Sequence, residues 1–203
     1  VSQLRCTDCH TSYALEERYA CGKCGGILDV SYDYRESREQ SRRELRQEPS
    51  LSIWKYASLL PLVDPGCAVT LYEGGTPLIC CDTLSAYWDI PNLYVKDESR
   101  NPSGAFKDRA IAAAISKAKE FGNNTVVTAS SGNAAASLAA YAAKAKIRSY
   151  VFIPEHTPAE KVKQAYMHGC TLIKVQGHYS NAYTMARKAS ASFRWMNITT
   201  TFI

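Results

Sequence analysis

From Asn92 onward, short strand-like runs alternate with segments of helical periodicity. "NLYVKDE" reads as a strand, and Lys107–Phe121 as a helix whose apolar face is "AIAAAISKAKEF". "TVVTA" (125–129) reads as a strand, and "NAAASLAAYAAKA" as an Ala-rich helix able to approach a sheet closely. "RSYVFIP" is a strand, and "PAEKVKQAYMHG" is a helix that Pro158 opens and Gly169 stops. "TLIKV" is a strand, "NAYTMARKASASF" a helix, and "WMNIT" begins a further element. Repeated βα units of this length call for a parallel sheet with helices on both faces. The expected class is α/β, with residues 125–195 forming a compact parallel unit.

A chain of 203 residues can bury one sizeable core, or one core plus a small satellite module. No apolar run approaches the roughly 20 residues of a membrane-spanning helix, and no secretory segment opens the chain at Val1. The net charge of +5 comes from scattered Lys and Arg rather than a basic stripe with interleaved aromatics. Neither a nucleic-acid nor a membrane partner is expected.

Eight cysteines would suit a secreted disulfide framework, but their spacing argues for a metal module in a reducing, cytoplasmic setting. Cys6 and Cys9 form one CxxC pair and Cys21 and Cys24 another, with eleven residues between Cys9 and Cys21. The segment around them reads as two short hairpins, with Gly22, Gly25 and Gly26 allowing a tight knuckle. Four thiolates so spaced can enclose Zn2+ at about 2.3 Å each. A module this small has almost no core, so the metal would supply most of its folding free energy. Structural zinc is favoured over redox-active pairs; His10 could substitute, but four cysteines suffice. Cys67, Cys80, Cys81 and Cys170 are scattered and read as buried small apolar residues. "YRESREQSRRELRQE" (34–48) is an exposed charged helix or linker, and "LSIWKYASLLPL" offers Ile53, Trp54, Tyr56, Leu59 and Leu60 as packing anchors.

Three loops stand apart. "YEGGTPL" (72–78) carries paired glycines for close backbone approach. "NPSGAFKDRA" (101–110) places Lys107 where a rigid loop becomes a helix. "TASSGNAA" (128–135) puts two hydroxyls, a glycine and Asn133 at a strand-to-helix turn, a natural anion cradle. Taken singly, Lys107 reads as a surface lysine and Ser-Ser-Gly-Asn as a turn with an N-cap. Together, at the expected ends of strands in one parallel sheet, they suggest Schiff-base chemistry on an amino acid. In that reading Asn133 bonds a ring hydroxylate and Ser130–Ser131 hold a carboxylate, with pyridoxal phosphate (PLP) as the cofactor.

In this order the three motifs resemble those of fold-type II PLP-dependent enzymes (the tryptophan synthase β-like fold), and within them the threonine synthases. "CTDC…CGKCGG" followed by "IWKYASLLP" resembles the zinc-ribbon-like start of some threonine synthases. The resemblance implies Lys107 as the Schiff-base lysine and Asn133 as partner of the PLP ring oxygen. It implies Ser130, Ser131 and Gly132 around the substrate carboxylate, and Phe106 packed near the cofactor; Asp108 and Arg109 are left as helix-start structure. The implied domains are a zinc-ribbon-like module (1–33), a helical linker and anchor (34–66), the beginning of the large PLP domain (67–122) and a small α/β domain (123–203). Family members continue past this point with a glycine-rich phosphate loop, so the resemblance implies a fragment, inactive alone, of an enzyme homodimeric at full length. The implied activity converts O-phosphohomoserine and water to threonine and phosphate. A β-replacement enzyme such as cysteate synthase, a threonine dehydratase, or a non-catalytic zinc-ribbon protein with a decayed enzyme domain stand as alternatives.

Overall fold

A computed structural model describes residues 3–47 and 51–199. The first two residues of the 1–33 module, residues 48–50 of the linker and the last four of the 123–203 segment lie outside the described residues. The N-terminal segment forms β1 (Gln3–Cys6), β2 (Ser12–Tyr13) and β3 (Leu28–Ser31), an antiparallel sheet in the order β2-β1-β3. This is one hairpin plus a returning strand rather than the two hairpins expected. The second CxxC pair lies in the loop before β3, held by its own turn, so no strand is needed there.

Helix α1 (Tyr34–Gln47) follows, and then a 3-10 segment, Ile53–Leu59, capped by the Ser52 side chain. Ile53 is buried and Trp54 packs against the core, its indole N–H donating to the Val69 carbonyl at 3.1 Å. Tyr56 and Leu59 are exposed, so only part of the expected anchor set packs.

Strands β4 (Leu78–Cys80) and β5 (Tyr94–Lys96) flank helix α2 (Asp82–Trp88) and pair antiparallel with each other. This corrects the expectation that "NLYVKDE" belongs to the parallel sheet. Both strands are only three residues long and exposed on each face, which suits a two-stranded ribbon and not a central strand. Helix α3 (Lys107–Glu120) is next. Beyond it the βα alternation holds: β6 (Thr125–Ala129), α4 (Asn133–Ala145), β7 (Arg148–Pro154), α5 (Ala159–Met167), β8 (Thr171–Val175), α6 (Tyr179–Phe193) and β9 (Met196–Asn197). All four strands are parallel, in the order β8-β7-β6-β9, and "WMNIT" supplies the strand beside β6.

Side-chain alternation explains why both faces are covered. Val126, Val151 and Ile153 face a core shared with α3, α4 and α5, whereas Val127, Ala129 and Phe152 face Ala182, Ala186 and Ala189 of α6. Burying each Val or Ile contributes about 1.5–3 kcal/mol. Helix α3 joins this body through α4: Ile111, Ala112, Ile115 and Ala118 share one core with Leu138, Ala139 and Ala142. Small side chains let the two helices lie close. The N-terminal module meets the last strand, where the Asn197 amide donates to the Tyr19 hydroxyl at 2.7 Å. Glu17 of the same module accepts from the Asn123 side chain at 3.0 Å.

Candidate functional site

The lysine loop starts as a tight turn, with the Gly104 amide donating to the Asn101 carbonyl at 2.8 Å and Gly104 at φ +80°. Lys107 then opens α3, half-buried, its amine 5.0 Å above the Phe106 ring centroid. Among the described residues no hydrogen bond or ion pair engages that amine. Its neighbours differ. Lys96 donates to the Thr76 carbonyl, and Lys117 is paired with Glu120.

Three carboxylates hold the loops around Lys107: Glu73 and Glu98, not singled out from the sequence, and Asp108, expected only as helix-start structure. Asp108 is fully buried and accepts from the Ser103 amide (2.7 Å), the Ser103 hydroxyl (2.5 Å) and the Ser137 hydroxyl of α4 (2.6 Å). Glu73 is likewise buried and accepts from the Tyr141 hydroxyl of α4 (2.8 Å), Thr70 and the Leu71 amide. Burial, and then the Glu73 charge, hold the Tyr141 phenol above its ordinary range. Glu98 takes both Arg109 contacts, Nε at 2.7 Å and Nη2 at 2.8 Å, and accepts from Thr76 at 2.7 Å. Asn101 completes the tie, donating to Glu98 and accepting from the Gly74 amide at 3.0 Å. The 72–78 loop can run this close because Gly75 sits at φ +55°, where a Cβ would lie 2.4 Å from Leu51 Cβ.

Asn133, Ser137 and Tyr141 recur every four residues on α4, so they share one face of an otherwise Ala-rich helix. Two of them grip carboxylates from the two other loops, and the third stands at the helix head. The structure therefore brings the three loops together, though not at the ends of one sheet: the lysine loop follows the β4–β5 ribbon and reaches α4 through side chains. Ser130, Ser131 and Gly132 form the turn after β6, with the Gly132 amide donating to Ser130 Oγ at 3.3 Å. No side chain caps α4, and Asn133 is exposed, which leaves the helix head open to an anion. The 133–137–141 spacing was readable in the sequence; that Glu73, Glu98 and Asp108 answer to it was not.

Hydrogen bonds from Arg109 hold the Glu98 carboxyl at about 2, below its ordinary 4.5. A carboxyl depressed on folding stabilises fully above the ordinary value, and that contribution is lost as pH falls from 4.5 towards 2. Glu98→Gln is expected to cost about 1–2 kcal/mol at pH 7 and to flatten the fall of the thermal midpoint across that acid window. Melting curves of both proteins at several pH values check this.

The four cysteines of the N-terminal module place their sulfurs within 4.8 Å of one another. Cys6–Cys24 and Cys9–Cys21 are separated by 3.5 Å and Cys9–Cys24 by 3.4 Å. A tetrahedron with metal–sulfur bonds of about 2.3 Å has edges of about 3.8 Å, so the donor set fits zinc. The two knuckles repeat one geometry. The Cys6 and Cys21 amides donate to the carbonyls of Thr11 and Gly26, and the His10 and Gly25 amides donate back to Cys6 and Cys21. His10 and Gly25 both have positive φ, so His10 serves the first turn as Gly25 serves the second. The Tyr13 hydroxyl, 3.1 Å from Cys21, draws that thiol below its ordinary range, whereas Cys24 of the same cluster is held above its own. Elsewhere Cys170 is buried as expected, but Cys80 is exposed and Cys67 and Cys81 are partly so. Cys80 and Cys67 lie against Asp82 and Asp64, at chain turns and outside the core.

Residues 69–202 match the family of pyridoxal-phosphate dependent enzymes, and the chain belongs to that family. Threonine synthases are among its curated relatives. It is 44% identical over 187 residues to that of Methanosarcina acetivorans, covering 91% of this chain and 45% of that protein. It is 38% identical to that of Methanocaldococcus jannaschii, covering 91% and 46%. The chain thus spans about half the length of the curated relatives it matches. Among solved structures, the processed threonine deaminase isoform 2 of Solanum lycopersicum superposes with a TM-score of 0.60 at 22% identity, over 83% of this chain and 41% of that one. That likeness carries the fold, the fold-type II arrangement.

Proposed function

We propose that the full-length protein is a threonine synthase, converting O-phosphohomoserine and water to threonine and phosphate with PLP. The observation that carries the reading is Lys107, an unengaged amine on a rigid loop that Asp108 ties to the helix headed by Asn133. When bound, PLP supplies an electron sink for charge developing on the substrate carbons. Lys107 would hold the cofactor, and its amine would carry protons between substrate carbons. The Asn133 amide would face the cofactor ring, and Phe106 would lie beside it. Ser130, Ser131 and Gly132 present hydroxyls and helix-head amides to the substrate carboxylate. The four cysteines hold a structural zinc away from the chemistry. A cytoplasmic setting, favoured by eight unpaired thiols, and a homodimer, from the family resemblance, belong to the same reading.

The full-length protein supplied with O-phosphohomoserine should release phosphate and threonine in equal amounts. Ammonia and a 2-oxoacid from added threonine, with no phosphate release, would instead identify a dehydratase. Zinc and PLP binding without turnover of either substrate would overturn the assignment to both.

A further inference from the structure

We propose that Asp108 is a positioning residue: through the Ser137 hydroxyl it fixes where the Lys107 amine stands relative to Asn133. The inference rests on the reading above, that Lys107 and Asn133 address one cofactor.

Asp108 follows the lysine directly and is fully buried, an unfavourable place for a carboxylate unless its oxygens are both met by donors. They are. Two donors come from Ser103, in the loop that leads into Lys107, and the third is Ser137 on α4. A helix start needs nothing so elaborate, because an exposed Asp or Ser at the cap suffices. Here the residue before Lys107, Phe106, makes no side-chain cap bond, and Asp108 adds to its two Ser103 bonds one that crosses the helix interface to Ser137. Ser137 lies one helical turn, about 6 Å along the axis, from Asn133 on the same face. The carboxylate therefore grips the lysine's own loop on one side and the asparagine's helix on the other.

Ile111, Ile115 and Leu138 pack this contact, but packing specifies distance less sharply than a directional bond. The α3–α4 core is rich in alanines, Ala112, Ala118, Ala139 and Ala142, whose low ridges resist sliding far less than interlocked large side chains. Directional hydrogen bonds to a charged acceptor are what specify the register. The Glu73–Tyr141 bond pins α4 one further turn along, so losing the Ser137 contact frees the helix head while the far anchor stays.

The test uses the full-length protein and three variants: Ser137→Ala, Ser137→Thr and Ser137→Val. Thr keeps the hydroxyl, and Val matches its bulk without it. Ser137→Ala and Ser137→Val are expected to lower kcat about 10- to 100-fold with KM within about twofold, the scale of a misplacement near 1 Å. The apo protein should also capture added PLP about tenfold more slowly, followed by the visible absorbance. Ser137→Thr should restore both to within about threefold. Unchanged kcat and capture rate in Ser137→Ala, or equal losses in Ser137→Thr and Ser137→Ala, would overturn the positioning role. A lower melting temperature with unchanged kcat would also overturn it, since that marks a structural bond alone. Borohydride reduction of the unmodified protein separates this from the parent reading: label on Lys107 supports the parent whatever Ser137 does, and label elsewhere overturns both.

Discussion

Replacing Lys107 by alanine is expected to abolish turnover, by at least about a thousandfold, while leaving the fold and the metal content of the protein unchanged. The size follows from what is lost together: the covalent hold on the cofactor and a proton carrier, each of which contributes orders of magnitude. The fold should survive because the side chain is only half-buried, makes no hydrogen bond among the described residues, and touches the exposed Phe106 ring. Circular dichroism and steady-state assay of the purified variant, with borohydride labelling of the unmodified protein, check the expectation. The label should fall on the peptide containing Phe106–Arg109. Label on Lys96 or Lys117 would move the site, although both amines are already committed, to the Thr76 carbonyl and to Glu120.

The second large effect concerns the N-terminal module. Metal analysis should find close to one zinc per chain, and Cys21→Ser with Cys24→Ser should remove it. With only Cys6 and Cys21 buried among the module's described apolar residues, it has little core to fall back on. Structural zinc typically contributes about 10–16 kcal/mol to such a fold. Loss of the ion should therefore open residues 3–31 to proteolysis while α3 to α6 stay protected. A module that keeps its protection without metal, or protein purified without chelators that holds none, would refute the zinc assignment.

Much of this architecture could be read from residue types alone, for reasons of scale. The βα alternation beyond Lys107 is written in period-two and period-3.6 patterns that buried sheets and their covering helices cannot avoid, and β6, fully buried, shows it as an unbroken apolar run with threonines. The paired cysteines were equally plain, because metal geometry tolerates few spacings. The β4–β5 ribbon was not legible: three-residue strands carry too little pattern to reveal their partner, and Leu78 pairs with Lys96 across α2. Nor were the carboxylate anchors. In a sequence Glu73 and Glu98 look like solvated charge and Asp108 like helix-start structure, and only the folded chain brings Tyr141 to Glu73 and Ser137 to Asp108. A single sequence records which residues need partners but not which distant residues supply them.

The contact between Tyr19 and Asn197 has a consequence for the order of assembly. The cysteine module can acquire its metal and fold as soon as its own residues have been synthesised, since its ligands all lie within Cys6–Cys24. Its seat on the body cannot form then, because the Asn197 amide that donates to Tyr19 belongs to β9, 178 residues further on. That same strand closes the sheet beside β6, where the Ala129 amide waits for the Thr199 hydroxyl. Closing a loop this long has an entropic cost that late contacts must offset together. During synthesis the protein should therefore hold a finished metal knuckle tethered to an open sheet until β9 arrives.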